Sequence, residues 1–274
     1  MRINDNTRPV VAIMRPERYL DGSRKLAGSY GFEPVAIPMI ELRDMKDDVF
    51  DTFVSHVLEG TSDYVIFTSA NGIDFTIDKV PISQRQSFID ALNSTKVIAI
   101  GPTTRKQLLE LDIEVLGMPG VYSSQGLVEY LCPHVSGKVV DVARSAFGSP
   151  LLISGLKDCN ASVFETKVYT LIRPKGEQQE QLIQRTLTED ISVFAFTSSM
   201  MVRNFFEQAD SMGKRDDVMK ILNRSVVVAI GKPTANTLND HGVEVSITPH
   251  KYTFEEMLRK VKETYYGNVD EQQK

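Results

Sequence analysis

Five short turns carry the hydroxyl groups of this chain that could do chemistry. They are Thr68-Ser69, Thr103-Thr104, Ser123-Ser124, Thr197-Ser198 and Thr234. Each turn stands at the start of a helical pattern. There a hydroxyl can cap the helix, or it can join free backbone N–H groups in binding a carboxylate or phosphate. Capping explains any single turn as well as binding does, but the recurrence of the turns favours an anionic ligand for the set.

Arg15 and Arg144 are the basic residues best placed to assist such binding. Each follows the first apolar run of one half of the chain. An arginine at the end of a strand can pair with a carboxylate through two hydrogen bonds, or it can lie in solvent. The sequence leaves both possibilities open. Arg24 and Lys25 fall within the first predicted helix, where we expect them to face solvent.

The elements that position these residues occur twice. Ile98-Ala-Ile-Gly-Pro-Thr-Thr returns as Val228-Ala-Ile-Gly-Lys-Pro-Thr, and the same register relates Arg15 to Arg144, Thr68 to Thr197 and Tyr122 to Tyr252. A period of about 130 residues indicates a duplicated domain, because solenoid repeats are far shorter. The glycine after each buried strand is expected to let the backbone turn sharply.

Each half alternates about five apolar strands with helices. This pattern predicts two similar, doubly wound parallel α/β domains of flavodoxin-like type. Such sheets bind ligands at the carboxyl ends of their strands, where the strand order reverses, and the hydroxyl turns are expected at those ends. The repeat alone divides the chain near Gly137. The polar tail, residues 267–274, is expected to be disordered.

Tyr169 stands where the repeat breaks, because the equivalent position in the first half is Ile40. Equivalent packing positions in the two halves of a duplicated fold are expected to keep similar residues. A polar residue at only one of them can therefore indicate a function that only one half performs. A phenol can donate a proton to a leaving hydroxyl, although a free phenol, with a pKa of about 10, is a weak acid. Packing at an edge between domains is the equally open alternative.

The composition limits the class of protein. A chain of 274 residues with 42% apolar and 24% charged residues is typical of a soluble globular protein, and its length favours about two domains. The net charge of −5 argues against a general nucleic-acid surface. Neither an apolar run of about 18 residues nor a signal-peptide pattern is present. We therefore expect no membrane partner and a cytoplasmic location.

The cysteines and histidines give no sign of a metal centre. Cys132 and Cys159 show neither CxxC spacing nor a disulfide framework, so buried free thiols are expected. The four histidines have no metal-ligand spacing. Walker, Gly-x-Gly-x-x-Gly and nucleophile-elbow patterns are also missing from the sequence, which leaves nucleotide binding and serine-hydrolase chemistry without support.

Taken in order, these motifs resemble those of the uroporphyrinogen-III synthase family. The resemblance rests on Phe67-Thr-Ser-Ala-Asn-Gly, Ala99-Ile-Gly-Pro-Thr-Thr, Pro119, Tyr122-Ser-Ser-Gln-Gly-Leu, Val168-Tyr169, Phe196-Thr-Ser-Ser and Ala229-Ile-Gly-Lys-Pro-Thr. It covers residues 8–262. Each motif alone is weakly specific, whereas their order and spacing together are strongly specific.

The resemblance implies a cofactor-free carbon–oxygen lyase of haem, sirohaem and corrinoid biosynthesis. Such an enzyme converts the linear tetrapyrrole hydroxymethylbilane into cyclic uroporphyrinogen III. Water is lost, and the last pyrrole ring is inverted through a spirocyclic intermediate. The implied partners are this small-molecule substrate and, in transient contact, the preceding pathway enzyme, with no nucleic acid and no membrane.

The resemblance also implies exchanged segments between two domains that hold the substrate between them. Residues 1–36 with 174–266 would form one domain and residues 43–164 the other. A two-stranded linker of residues 37–42 and 165–173 would join them. This division and the cut near Gly137 are mutually exclusive, so a structure can distinguish them.

Carried over residue by residue, the resemblance places the family's tyrosine, the proposed proton donor, at Tyr169. Its recurrent threonines fall on Thr104 and Thr234, and its hydroxyl turns on Thr68-Ser69 and Thr197-Ser198. The chain departs from expectation at Arg144-Ser-Ala-Phe-Gly-Ser, which has few basic groups. It departs again at Lys232-Pro233, which replace Pro102-Thr103 and so lose one hydroxyl.

Two other functions are compatible with the sequence. One is a non-catalytic two-domain sensor that binds a tetrapyrrole or another polyanion on the same scaffold. The other is a tandem α/β interaction module, which would neither bind nor convert a tetrapyrrole.

Overall fold

The computed structural model describes residues 8–188 and 190–266, so the predicted disordered tail lies outside the described residues. The strands of the described chain are β1 Val10–Ile13, β2 Glu33–Ala36, β3 Glu41–Asp44, β4 Tyr64–Phe67, β5 Lys96–Ala99, β6 Val139–Ser145, β7 Ser162–Ile172, β8 Val193–Phe196 and β9 Val226–Ala229.

The α-helices of the described chain are α1 Leu20–Ser29, α2 Phe50–Leu58, α3 Ala70–Lys79, α4 Arg85–Asn93, α5 Pro102–Glu110, α6 Ser124–Leu131, α7 Pro150–Asp158, α8 Glu177–Leu187, α9 Ser199–Ser211, α10 Arg215–Leu222, α11 Lys232–Asp240 and α12 Phe254–Val261. Single turns of 3-10 helix span Glu17–Tyr19, Ile82–Gln84 and Cys132–His134, and a π-helical turn spans Lys262–Tyr266.

The chain forms two compact units, and neither is one half of the repeat. The first unit combines the described residues up to Glu41 with those from Ile172 onward, and the second runs from Leu42 to Leu171. Gly137 lies inside the second unit, so the division near Gly137 is wrong. The chain crosses between the units within the segments 37–42 and 165–173 that the family resemblance singles out as a linker.

In the first unit, four parallel strands lie in the order β2-β1-β8-β9. An isolated parallel bridge between Val228 and Ile247 continues the sheet beyond β9. The strand order reverses between β1 and β8, which pair in register from Val11 opposite Val193. This is the arrangement of a doubly wound sheet of flavodoxin-like order, and it confirms the predicted fold class.

In the second unit, the sheet has the order β3-β7-β6-β4-β5, and the pairs of β7 with β6, β6 with β4 and β4 with β5 are parallel. A bridge from Ile98 to Gly117 continues this sheet beyond β5. The order therefore reverses between β6 and β4, as it does between β1 and β8 in the first unit.

The exchange of strands explains why the sequence repeat misplaces the boundary. The repeat relates β1 to β6, β2 to β7, β4 to β8 and β5 to β9. The first unit takes β1 and β2 from the first copy and β8 and β9 from the second. The second unit takes the complementary strands. A periodic sequence cannot reveal this exchange, because both pairings place the same residue types side by side.

Burial of the strands is nearly continuous, as expected for parallel sheets covered on both faces. Every residue of β4, β8 and β9 is buried. Helix α2 adds Phe50 and Phe53, and Phe53 meets Phe88 edge-on with ring centroids 5.8 Å apart. Each buried phenylalanine stabilises the fold by about 1.5–3 kcal/mol. This packing stabilises the sheet whose strand ends carry the candidate site residues.

A disulfide joins Cys132 to Cys159, with Cα atoms 5.4 Å apart. The expectation of free thiols is therefore wrong. The reason is that α6 and α7 end side by side, with Leu131 and Leu156 in one apolar cluster, whereas the sequence separates the two cysteines by 27 positions. A bridge across a loop of this length stabilises by about 3 kcal/mol on loop-entropy grounds.

Asp141 is a fully buried carboxylate in the middle of β6. His56 Nδ1 lies 3.2 Å from both of its carboxyl oxygens, and the imidazole meets Phe164 edge-on at 4.6 Å. Burial raises the pKa of Asp141, against the opposing effects of Ser62 and His56. The equivalent residue of the first unit is Ala12, which is also buried.

We expect Asp141→Asn to change the pH dependence of stability. Because the pKa is raised, the folded state binds the carboxyl proton more tightly than the unfolded chain does. The stability of the wild type relative to the variant should therefore fall as pH rises from about 4 through the raised pKa. Urea unfolding of both proteins between about pH 4 and pH 8 measures this difference. A difference that does not vary with pH contradicts the assignment.

Candidate functional site

The carboxyl ends of the parallel strands bring the predicted turns to one edge of each sheet. In the second unit, Thr68-Ser69 follows β4 and Thr104 lies just beyond β5. In the first unit, Thr197-Ser198 follows β8 and Thr234 lies just beyond β9. These edges include the reversal points between β6 and β4 and between β1 and β8, where sheets of this kind bind ligands.

Three of the predicted serines are helix caps. Ser69 Oγ accepts from the Gly72 N–H at 3.0 Å, Ser123 Oγ from the Gly126 N–H at 3.0 Å, and Ser198 Oγ from the Met201 N–H at 3.1 Å. The capping interpretation is thus confirmed for these three residues. Each hydroxyl retains its own proton, so a cap can still donate a hydrogen bond.

Tyr169 lies beside one of these caps. Its hydroxyl is 3.1 Å from Ser69 Oγ, and its ring stacks on Phe75 with centroids 5.2 Å apart. Only 7% of the residue is exposed, so packing is part of its role. Its hydroxyl nevertheless reaches the carboxyl edge of β4. The equivalent residue of the first unit, Ile40, is buried and carries no polar group.

Lys79 holds Tyr169 in position, a role that the sequence does not reveal. Its Nζ donates to the carbonyl oxygens of Val168 at 2.7 Å and of Phe75 at 2.9 Å, and it pairs with Asp44. The same ammonium lies 5.2 Å from the centroid of the Phe75 ring. One cation therefore fixes both the ring under Tyr169 and the strand that carries it.

Thr104 and Thr234 occupy equivalent places in the first turns of α5 and α11. Both are 3% exposed, yet neither hydroxyl has a hydrogen-bond partner among the residues that the structure describes. The caps of the two helices, Gly101 and Gly231, offer no side-chain acceptor to the first turn. Hydroxyl and N–H donors are therefore available at both helix starts, which suits an anionic ligand.

The two glycines do not serve the sharp turn expected of them. Gly101 has φ −170° and Gly231 has φ −169°, an extended backbone that any residue adopts, so that expectation is wrong. Both glycines instead pack against a tyrosine ring. A Cβ at Gly101 would lie 3.3 Å from Tyr122 Cγ, a tight contact, whereas one at Gly231 would lie 3.4 Å from the Tyr252 ring, an ordinary van der Waals distance.

Arg15 presents a half-buried cation just beyond β1. Its guanidinium donates to Ser23 Oγ at 3.0 Å and lies 4.8 Å from the Tyr19 ring and 5.2 Å from the Phe254 ring. Burial lowers its pKa, with Tyr19 acting in the opposite direction. No carboxylate of the described chain pairs with it, which leaves its positive charge to attract an anion.

Arg144, the equivalent residue of the second unit, is engaged within the protein. It is 2% exposed, and its Nη1 donates to the Ser149 carbonyl at 2.9 Å. Its Nε lies 3.1 Å from Glu165 Oε1, although it is not aligned for a hydrogen bond. Burial lowers its pKa, and Glu165 opposes that effect. A Cβ at Gly148 would overlap the guanidinium, so Arg144 shapes its turn.

The remaining predicted residues lie at the same edges with more solvent access. Thr103 is exposed, and Thr68, Thr197 and Ser124 are half-buried. Among residues 8–188 and 190–266, no group of three or more histidine, cysteine, aspartate or glutamate side chains is arranged to hold a metal. None of the helices in those ranges is both long and apolar enough to span a membrane.

Comparison with known proteins relates this chain to a family. The family model described as Uroporphyrinogen-III synthase HemD matches residues 23–259. A Bacillus subtilis (strain 168) protein described as uncharacterized protein YjjA is 29% identical over 70% of this chain and 72% of its own length. A Methanothermobacter thermautotrophicus protein described as a putative uroporphyrinogen-III synthase is 27% identical over 95% of this chain and 100% of its own.

A solved structure shares the fold. The crystal structure of a mutant uroporphyrinogen III synthase from the extremely thermophilic bacterium Thermus thermophilus covers 93% of this chain and 98% of its own, with a TM-score of 0.65 and 20% identity. The family model covers most of the chain in one continuous match. The chain therefore belongs to the uroporphyrinogen-III synthase family.

Proposed function

We propose that this chain cyclises hydroxymethylbilane to uroporphyrinogen III, with loss of water and inversion of the last pyrrole ring. Family membership supports this reaction. The observation that carries the chemistry is the pair of hydroxyls of Tyr169 and Ser69, 3.1 Å apart at the carboxyl edge of the second unit. The enzyme so described is a carbon–oxygen lyase.

The proposed acid is the phenol of Tyr169. It donates its proton to the departing hydroxyl of the substrate, which leaves as water and creates a reactive azafulvene. The substituted α-carbon of the last pyrrole ring attacks the azafulvene and forms a spirocyclic intermediate. The original bond between this carbon and its methylene bridge then breaks, which creates a second azafulvene on the neighbouring ring. The free α-carbon of the last ring bonds to that bridge, so the macrocycle closes with the ring inverted. The proton that ring closure finally releases returns to the phenolate. An azafulvene reacts readily, so the protein's main task is to hold the rings in the productive order.

The proposed contacts of the substrate carboxylates are the hydroxyl turns and Arg15. Hydroxymethylbilane carries eight carboxylates, and helix starts with free N–H donors suit such groups. Thr104 and Thr234 add hydroxyls without protein partners among the described residues, and Arg15 adds a cation that no described carboxylate neutralises. In this proposal Arg144 positions the turn after β6 and does not contact substrate, because Glu165 already lies against its guanidinium.

Free hydroxymethylbilane closes without inversion to the type I isomer. This spontaneous closure competes with the enzyme, which favours direct delivery of the substrate to it. We therefore include in the proposal a transient contact with the enzyme that supplies hydroxymethylbilane. The proposal is tested by giving hydroxymethylbilane to the purified chain and resolving the isomers formed. Formation of the type III isomer faster than spontaneous closure supports it. Type I alone, at the spontaneous rate, contradicts it.

We expect Tyr169→Phe to lower kcat by roughly tenfold to a thousandfold, which overlaps the contribution of about 10²–10⁴-fold that is typical of one general acid. The variant keeps the ring that stacks on Phe75, so its folding and its KM should change little. Steady-state kinetics with hydroxymethylbilane measures both constants.

The matched control is Tyr64→Phe. Tyr64 is a buried tyrosine at the start of β4, the end of that strand away from Ser69, and its hydroxyl lies 3.5 Å from Lys96 Nζ. This control should keep wild-type kcat. A Tyr169→Phe enzyme within about twofold of the wild type would leave no general-acid effect to explain and would return Tyr169 to packing alone.

We expect Arg15→Gln to raise KM roughly tenfold, because one charge-assisted hydrogen bond to a substrate carboxylate is lost. Lys25→Gln removes the same charge from an exposed position of α1 and should leave KM unchanged. Equal KM values for the two variants would contradict a direct contact between Arg15 and a substrate carboxylate.

A further inference from the structure

Tyr122 and Tyr252 are large aromatic residues left open at equivalent places in the two units. They are 56% and 66% exposed, and their hydroxyls have no hydrogen-bond partner among the described residues. Single exposed apolar residues are common on protein surfaces. These two rings, however, occupy the same position in both copies of a diverged repeat. Each also lies beside a predicted ligand-binding turn, so their exposure needs a specific explanation.

Each ring lies against a glycine and remains largely open to solvent. A Cβ at Gly101 would stand 3.3 Å from Tyr122 Cγ, and one at Gly231 would stand 3.4 Å from Tyr252 Cδ1 and Cε1. Both glycines have an extended backbone, so the feature that they share is contact with a tyrosine ring.

Hydrogen bonds hold the backbone around each tyrosine in a turn. The Ser123 N–H donates to the Val121 carbonyl at 2.8 Å, and the Thr253 N–H donates to the Lys251 carbonyl at 2.9 Å. Ser123 and Thr253 then cap the helices that follow, accepting from the N–H groups of Gly126 and Glu256 at 3.0 and 3.2 Å. The backbone from which each ring projects is therefore ordered before a ligand binds, which lowers the entropic cost of binding.

We propose that Tyr122 and Tyr252 are stacking platforms, each of which binds the face of one pyrrole ring of the substrate. The glycines that the two rings contact lead into the helix starts of Thr104 and Thr234, whose hydroxyls suit a carboxylate. Each unit thus offers a flat aromatic surface beside an anion site, which matches a planar ring bearing carboxylate side chains. This inference rests on the proposed function and adds the residues that recognise the ring itself.

The test compares variants that remove the aromatic face with variants that remove only the hydroxyl. Tyr122→Leu and Tyr252→Leu should each raise KM for hydroxymethylbilane roughly threefold to tenfold, the range of one aromatic stacking contact. The double variant should raise it by the product of the two factors. Tyr122→Phe and Tyr252→Phe keep the ring and should bind like the wild type. Leu109→Ala, at an exposed apolar position of α5, is the control and should change nothing.

Titration with uroporphyrinogen III gives a second readout, in which the leucine variants should bind more weakly at unchanged Tm. The stacking proposal is overturned if the leucine variants have wild-type KM, or if the phenylalanine variants are as impaired as the leucine variants. In either case the proposed function still holds if the wild type forms the type III isomer. A wild type that forms only the type I isomer overturns both.

Discussion

The parallel pairing of β1 with β8, and of β6 with β4, is the interaction on which the rest of this structure depends. Each pair joins a strand from one copy of the repeat to a strand from the other copy. The pairing completes both sheets, creates the point where strand order reverses, and sets side by side turns that are far apart in the chain. Each carboxyl edge takes its strands from both copies of the repeat. Without this pairing, each edge would lose the residues that one of the two copies contributes.

The two edges built in this way share a framework but differ in chemistry. At both edges a serine caps one helix. A threonine lies in the first turn of another helix, next to a glycine that contacts a tyrosine ring. The second unit alone has the tyrosine hydroxyl, supported by Lys79 beneath it. Of the two equivalent arginines, Arg144 of the second unit lies against Glu165, whereas Arg15 of the first unit pairs with no carboxylate of the described chain. In the proposed mechanism both edges bind anionic groups, while the second unit adds an acid and the first adds a cation.

Much of this arrangement follows from the sequence, because it depends on local patterns. Buried β-branched runs followed by glycine and hydroxyl residues predict strand ends and helix starts, and the position where the repeat fails singles out Tyr169. These signals need no knowledge of which strands pair.

What the sequence could not predict depends on long-range packing. The disulfide requires α6 and α7 to end side by side, and the engagement of Arg144 requires Glu165 on the adjacent strand β7. The buried pair of Asp141 and His56 joins residues 85 positions apart. The two glycines contact rings that follow about 20 residues later in the chain. The repeat relates these glycines and tyrosines to one another, but it does not show that they touch.

The central claim is that the carboxyl edges of both sheets bind the tetrapyrrole. The most direct measurement is a titration of isotope-labelled protein with uroporphyrinogen III, followed through the backbone amide resonances. The account predicts that the shifts concentrate in residues 68–72, 101–105, 197–201 and 231–235, in both units and at similar ligand concentrations. Shifts confined to one unit, or centred on residues outside these edges, would contradict it.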